Sequence, residues 1–322
     1  GVRYTKESRD YTPDQYVEEM PLAFFFGGTL PYNCYDGSGS PAACTIGSRV
    51  VPFETVNNEM SETTPMFNLA YQLGNETMVY ATYSEGFKVG GFNQRIFPPE
   101  PSLPKFKPEY VKSYEAGIKT ELLENDLRIN AAVYVTDYTD LQLLIAEPSR
   151  VGPYVTNAGE ATIEGFELEV SFVSSSQVIL DFAAGYTDAG YDRLNPAALK
   201  GDQLVGLTLD SPFGFISEWN THLSISKAIQ FAGGILMPRI DWTWRSGFYT
   251  NASGVPLPPP WADALYQPDY SVFNLSSRWE SASTGLHLTA GIENLGDEEY
   301  AIFGDYQPNF GSDAEAYDRG RQ

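Results

Sequence analysis

Leu127-Arg128-Ile129-Asn130-Ala131-Ala132-Val133-Tyr134-Val135-Thr136 is the stretch whose reading decides the fold. Leu127, Ile129, Ala131, Val133 and Val135 alternate with Arg128, Asn130, Ala132, Tyr134 and Thr136. A side-chain period of two places these sets on opposite faces of a strand, one apolar and one polar. Upstream, Tyr114, Ala116 and Ile118 share a face, and the tight Leu123-Glu124-Asn125-Asp126 turn folds the two segments into an antiparallel hairpin. Downstream, Phe166, Leu168, Val170 and Phe172 alternate with Gly165, Glu167, Glu169 and Ser171.

Outward from this hairpin the pattern recurs. Strands are expected at Gly1–Tyr11, Thr64–Leu73, Thr77–Lys88 and on both sides of the central turn. Others are expected up to Phe172, around Leu180–Tyr186, from Trp219, around Arg239–Arg245, around Phe273–Trp279 and at Leu286–Ile292. That is about eleven strands. Their connections alternate: long after Tyr11, short at Gly74, long after Lys88, short at Glu124, and so on to an acidic, loop-like tail from Asp297. Up-and-down outer-membrane barrels have this asymmetry, with short turns on one side and long loops on the other.

Composition agrees. The 322 residues are 14% aromatic, with 29 glycines and 22 prolines, which suits many strands with glycine and aromatic punctuation. The formal charge of −22 argues against nucleic acid, whose binding needs clustered cations. Mean hydropathy is −0.27 and no run of about 18 apolar residues exists, so a membrane-spanning helix is not expected. A barrel escapes that test because only alternate residues face lipid.

The polar faces hold Arg128, Glu167, Glu169, Asp181, His222, Arg239, Asp241, Arg245 and Glu293. That much charge does not suit a dry core. A wet or plugged lumen accommodates it, whereas the competing reading is a sandwich core with surface charge. Trp219, Trp242, Trp244, Trp279 and Tyr186 fall where an interfacial aromatic girdle would lie. Cys34 and Cys44 admit either a local disulfide in an oxidising compartment or two unrelated thiols. The loop context and the lack of any other cysteine favour the bridge. A zinc site is not expected, since neither histidine is near them in sequence.

Several segments resemble the barrel of TonB-dependent outer-membrane receptors. They are Gly1 to Glu7, Tyr80 to Asn93, Phe106-Lys107-Pro108-Glu109 with Ser113 to Gly117, Asn157-Ala158-Gly159 with Gly165-Phe166-Glu167, and Asn294 to Tyr300. The resemblance implies an all-β, antiparallel, up-and-down transmembrane β-barrel, of which this chain holds about eleven of 22 strands. It further implies that residues 1–322 form a partial barrel lacking the plug domain with its TonB box, the early strands and the last strand. Gly1 to Thr5 reads as mid-strand, so a fragment is expected. The alternative is a complete small protein with frayed ends.

The function expected from the resemblance is active import of a scarce, bulky nutrient across the outer membrane of a Gram-negative bacterium. A ferric siderophore is the leading small-molecule ligand, with energy coupled through the TonB–ExbB–ExbD system. A passive porin, or import of an oligosaccharide or cobalamin-type substrate, is the alternative. Candidate ligand contacts are Tyr32, Tyr35, Phe92, Arg95, Trp261, Tyr266 and Tyr306 in the long loops. Arg128, Arg239 and Arg245 are expected to face the plug. No cofactor, resident metal or catalytic residue is expected: Glu167 and Glu169 share a face, but nothing positions a nucleophile or a base.

Overall fold

The structure, a computed structural model, describes residues 1–17, 33–36, 39–94, 96, 99–145, 154–195, 207–250, 265–307 and 312–317. The alternating segments become β1 (Val2–Tyr11), β2 (Val56–Leu73), β3 (Thr77–Lys88), β4 (Glu109–Leu122), β5 (Leu127–Ile145) and β6 (Tyr154–Val173). They continue as β7 (Val178–Leu194), β8 (Trp219–Lys227), β9 (Gly234–Arg245), β10 (Tyr270–Ser281) and β11 (His287–Ile292). These eleven pair in strict chain order in one antiparallel sheet, and Ile229–Phe231 continues β8 past Ala228. No described residue is in a helix.

The reversals at one end are short and turn through left-handed backbone. Gly74 has φ 75°, Gln177 φ 59° and Gly285 φ 69°, and Ala232-Gly233 have φ 47° and 74°. Leu123, Glu124 and Asn125 are all left-handed in the central turn, with φ of 55°, 58° and 73°. Such turns match the right-handed twist of the strands they join. The strand ends from which the longer connections leave lie at the opposite end.

The strands outgrow their expected limits at that long-loop end. β2 starts at Val56 rather than Thr64, because Val56 to Pro65 pairs with Tyr11 to Val2. β7 runs on to Leu194, well past the expected stretch around Leu180–Tyr186. The tail expected to be loop-like contains a hairpin, Ala301–Gln307 paired with Ser312–Tyr317. Sequence period cannot see these extensions, since polar residues on both faces of an aqueous hairpin carry no alternation.

The register sorts the faces. Leu69, Ala81, Ala116, Val133, Phe166, Tyr186 and Trp219 lie in one row across seven strands. One row lower on that face lie Tyr71, Val79, Ile118, Ala131, Leu168, Ala184 and Thr221. This apolar face is exposed: Leu69 is 75% accessible, Val133 57% and Leu288 59%. The dry clusters among the described residues lie at the long-loop end instead. Val17, Cys34, Val50, Val51, Ile96 and Leu103 form one, and Leu141, Ala161, Tyr191 and Leu207 another. A sandwich would bury its aliphatic faces between two sheets. Here there is one large sheet, beside which only two-stranded hairpins occur among the described residues.

Aromatic rings band the apolar face. Phe67 stacks on Tyr83 at 6.4 Å, and Tyr83 meets Tyr114 at 5.1 Å. Farther round, Phe166, Tyr186 and Trp219 form a triangle with centroid separations of 6.0, 5.5 and 5.0 Å. Near the short turns, Trp279 Nε1 donates to the Phe231 carbonyl at 3.0 Å. Rings with a polar handle suit a boundary that is apolar on one side and wet on the other.

Candidate functional site

The opposite face is polar and internally satisfied. Tyr134 lies across Gly165 and its hydroxyl meets Thr187 Oγ1 at 2.9 Å. Tyr80 lies across Gly117 and donates to Glu115 at 2.6 Å. Asn130 donates to Glu169 at 3.1 Å. Lower down, Arg239 grips Asp241 on its own strand at 2.7–3.0 Å, and His222 Nε2 stands 3.7 Å from the same carboxylate.

Arg128, Arg239 and Arg245 are all on this face, as their alternation requires. Their surroundings differ. Arg128 is exposed and donates to the Ser171 hydroxyl at 3.4 Å. Arg239 already has its counter-charge. Arg245 closes the long-loop end of β9: Nε donates to Ser217 at 2.7 Å, Nη2 to the Phe215 carbonyl at 2.8 Å, and the guanidinium lies 4.0 Å over Phe248.

The candidate loop residues are also unlike one another. Tyr35 is buried in a hairpin of Asn33–Tyr35 with Pro41–Ala43, and burial raises its phenol pKa. Phe92 stacks on Tyr11 at 6.0 Å, with Lys105 Nζ 5.5 Å above its ring. Tyr266 stays 41% accessible while packing on Tyr249 at 5.1 Å. Tyr306 lies in the strand Ala301–Gln307. Tyr32, Arg95 and Trp261 lie outside the described residues. Cys34 and Cys44 are joined, with Cα atoms 4.8 Å apart.

Two features of this rim are not visible in the period of the sequence. Arg49 is sandwiched 4.4 Å from both the Tyr16 and Phe53 rings while donating to Asp14 at 3.0 Å. The Tyr16 hydroxyl, and then Arg49, hold the Asp14 carboxyl below its ordinary pKa. The second feature is a knot of amides. Asn157 Oδ1 accepts from Lys107 N at 2.6 Å, and its Nδ2 donates to the Lys107 carbonyl at 2.9 Å and the Asp140 carbonyl at 2.8 Å. Gln142 Nε2 donates to Val89 and Lys107 carbonyls, both at 3.0 Å, and Gln142 N donates to Glu109 at 2.7 Å. The segments Phe106 to Glu109 and Asn157 to Gly159, far apart in sequence, are thus one hydrogen-bonded joint.

The family model for the TonB-dependent receptor-like β-barrel matches residues 1–295. The chain belongs to this family. Among curated relatives of this TonB-dependent receptor barrel, the metal-pseudopaline receptor of Pseudomonas aeruginosa is 27% identical over 242 residues, covering 74% of this chain and 30% of the relative. The ferric-pyoverdine 358 receptor of Pseudomonas putida is 27% identical over 259 residues, covering 79% and 28%. The chain therefore spans about a third of the length of the receptors it matches. Among solved structures, the ferric yersiniabactin uptake receptor of Yersinia pestis superposes with a TM-score of 0.64 at 21% identity, over 83% of this chain and 37% of that one. The siderophore receptor of Acinetobacter baumannii gives 0.59 at 15% identity, over 84% and 36%. At that identity the likeness speaks for the fold alone. It accounts for the exposed apolar face, which in a TonB-dependent receptor barrel meets lipid.

Proposed function

We propose that the chain forms part of the barrel wall and outer rim of an outer-membrane receptor that imports a metal chelate, a ferric siderophore first among the candidates. The observation that carries this reading is the inverted distribution of apolar side chains. Aliphatic residues cover the outside of the sheet, and dry packing is concentrated where the long loops meet. That arrangement suits a wall in hydrocarbon bearing a built platform at its watery end. The names of the relatives, which speak of metal-pseudopaline and ferric pyoverdine, support the substrate class. Energy is taken from the TonB–ExbB–ExbD system through a plug domain that packs against the polar face. There, exposed Arg128 is the wall cation best placed to meet a plug carboxylate. Tyr266, Tyr306, Tyr32, Arg95 and Trp261 are the ligand contacts of this proposal, while Tyr35 and Phe92 shape the packed rim. The relatives are receptors rather than enzymes, in keeping with a non-catalytic role.

The test is uptake of radio-iron, presented as ferric pyoverdine and as metal-pseudopaline, by cells with and without the full-length gene. Loss of uptake on disruption, and its collapse when a protonophore removes the inner-membrane gradient, is the expected result. Uptake that persists at full rate without the gradient would make the protein a passive porin.

A further inference from the structure

The joint at the rim is reciprocal. The connection 89–108 runs outward through Gly91–Phe92 and returns through Lys105–Phe106, which pair with each other. On the outgoing leg, Asn93 presents its side-chain amide to the main chain of β6: Nδ2 donates to the Val155 carbonyl at 2.8 Å and Oδ1 accepts from Val155 N at 2.7 Å. On the returning leg the roles reverse, and Asn157 of β6 presents its amide to the main chain of Lys107. Each amide meets both the N–H and the C=O of a single residue, as a neighbouring strand would. Val155 and Asn157 are two apart, so the same short segment of β6 both receives and gives.

The β5–β6 ladder makes room for this. Its register shifts between Asn157 and Gly159 and again between Gly159 and Ala161, and Asp140 turns left-handed with φ 53°. The slip leaves the Asp140 carbonyl facing Asn157 Nδ2. On its other side the same connection is locked to the disulfide-bearing loop. Ile96 and Leu103 share a dry cluster with Val17, Cys34, Val50 and Val51, Glu100 N donates to the Val50 carbonyl at 3.0 Å, and Lys105 Nζ donates to the Asn57 carbonyl at 2.6 Å.

We propose that Asn93 and Asn157 are positioning residues that splice the two legs 89–94 and 99–108 into the rim, so that these legs and the described strands around the Cys34–Cys44 bridge form one preformed ligand platform instead of separate segments ordered by the ligand. This deepens the receptor reading and rests on it for the word ligand. Its physical content, a loop pair held in advance, stands on the hydrogen bonds alone. A platform ordered in advance avoids an entropic cost at capture, so loosening it raises the concentration needed for half-saturation without slowing transport once the ligand is held.

The experiment uses the full-length receptor in detergent and in cells, with Asn93→Ala and Asn157→Ala singly and together. The near-isosteric Asn93→Asp and Asn157→Asp keep the acceptor and remove the donor. Hydrogen exchange of amides in 89–94 and 99–108 is expected to quicken by roughly tenfold in each single variant and more in the double, while the sheet amides of β8 to β10 keep their protection. Half-saturation for radio-iron uptake, probed with ferric pyoverdine and with metal-pseudopaline, is expected to rise about tenfold with the maximal rate unchanged. Unchanged loop exchange in the double variant would overturn the proposal, as would equal loss of protection in β8 to β10 or a fall in maximal rate with half-saturation fixed. If the wild type imports neither chelate, the receptor reading is the one in difficulty, and the exchange result alone decides whether the loops are clasped.

Discussion

Gly117 and Gly165 are both glycines over which a tyrosine of the neighbouring strand lies, and their surroundings rank what replacement costs. A Cβ on Gly165 would sit 2.0 Å from the Tyr186 carbonyl oxygen, which is backbone, and 2.7 Å from the Tyr134 hydroxyl. The nearest atoms to a Cβ on Gly117 belong to the Tyr80 side chain, at 2.5 Å. Backbone cannot step aside inside a ladder, whereas the outer end of a tyrosine can. Gly165→Ala is therefore expected to destabilise the folded barrel by about 2–4 kcal/mol and Gly117→Ala by about 1 kcal/mol. The heat-induced mobility shift of the full-length receptor on a gel checks the order, and equal midpoints would refute it. Asn157 illustrates the limit of reading residues singly. Its segment resembles the family in sequence, but only the fold brings it against its partner, Lys107.

At the level of the element, turns and loops carry separate energies. Ala232 adopts φ 47° ahead of Gly233 at 74°, a pair of left-handed residues for which asparagine followed by glycine is preferred. Ala232→Asn is expected to stabilise the β8–β9 hairpin by about 0.5–1 kcal/mol, read as a higher urea midpoint with an unchanged slope. The disulfide closes a separation of 10 residues within the loop cluster. Replacing both Cys34 and Cys44 by serine is expected to loosen that loop by about 2–3 kcal/mol while sparing the strands. Faster proteolytic nicking within 12–55, with an unaltered gel mobility shift, is the expected pattern. Strand interiors were legible because one face is apolar. Their extensions at the long-loop end, such as Val56 to Thr63 in β2, were not, because an aqueous ladder has no face that must be greasy.

For the whole molecule, the decisive contrast is between neighbours on opposite faces. Leu168 lies in the middle rows of the apolar face and Ser171 on the polar one, where it accepts from Arg128. Leu168→Arg is expected to cost about 2–4 kcal/mol in a bilayer, as for a cation near the midplane of a barrel wall, and Ser171→Arg less than about 1 kcal/mol. Urea unfolding of the full-length receptor in lipid vesicles measures both. Equal costs would mean that the sheet does not present this face to hydrocarbon.

The alternation of apolar and polar side chains by itself determined the interiors of the eleven sheet strands, their order and the long and short ends, because a period of two has one backbone solution and a tight turn one pairing. It also determined that the polar face would hold Arg128, Arg239 and Arg245. Tertiary structure alone decided which of these charges are already matched: Arg239 by Asp241, and Arg245 by the Ser217 and Phe215 rim. It alone decided that Asn93 meets the main chain of Val155 and Asn157 that of Lys107. Such contacts join residues about 50 to 60 positions apart through register slips and loop paths, which depend on where backbones finally meet and leave no period in the chain.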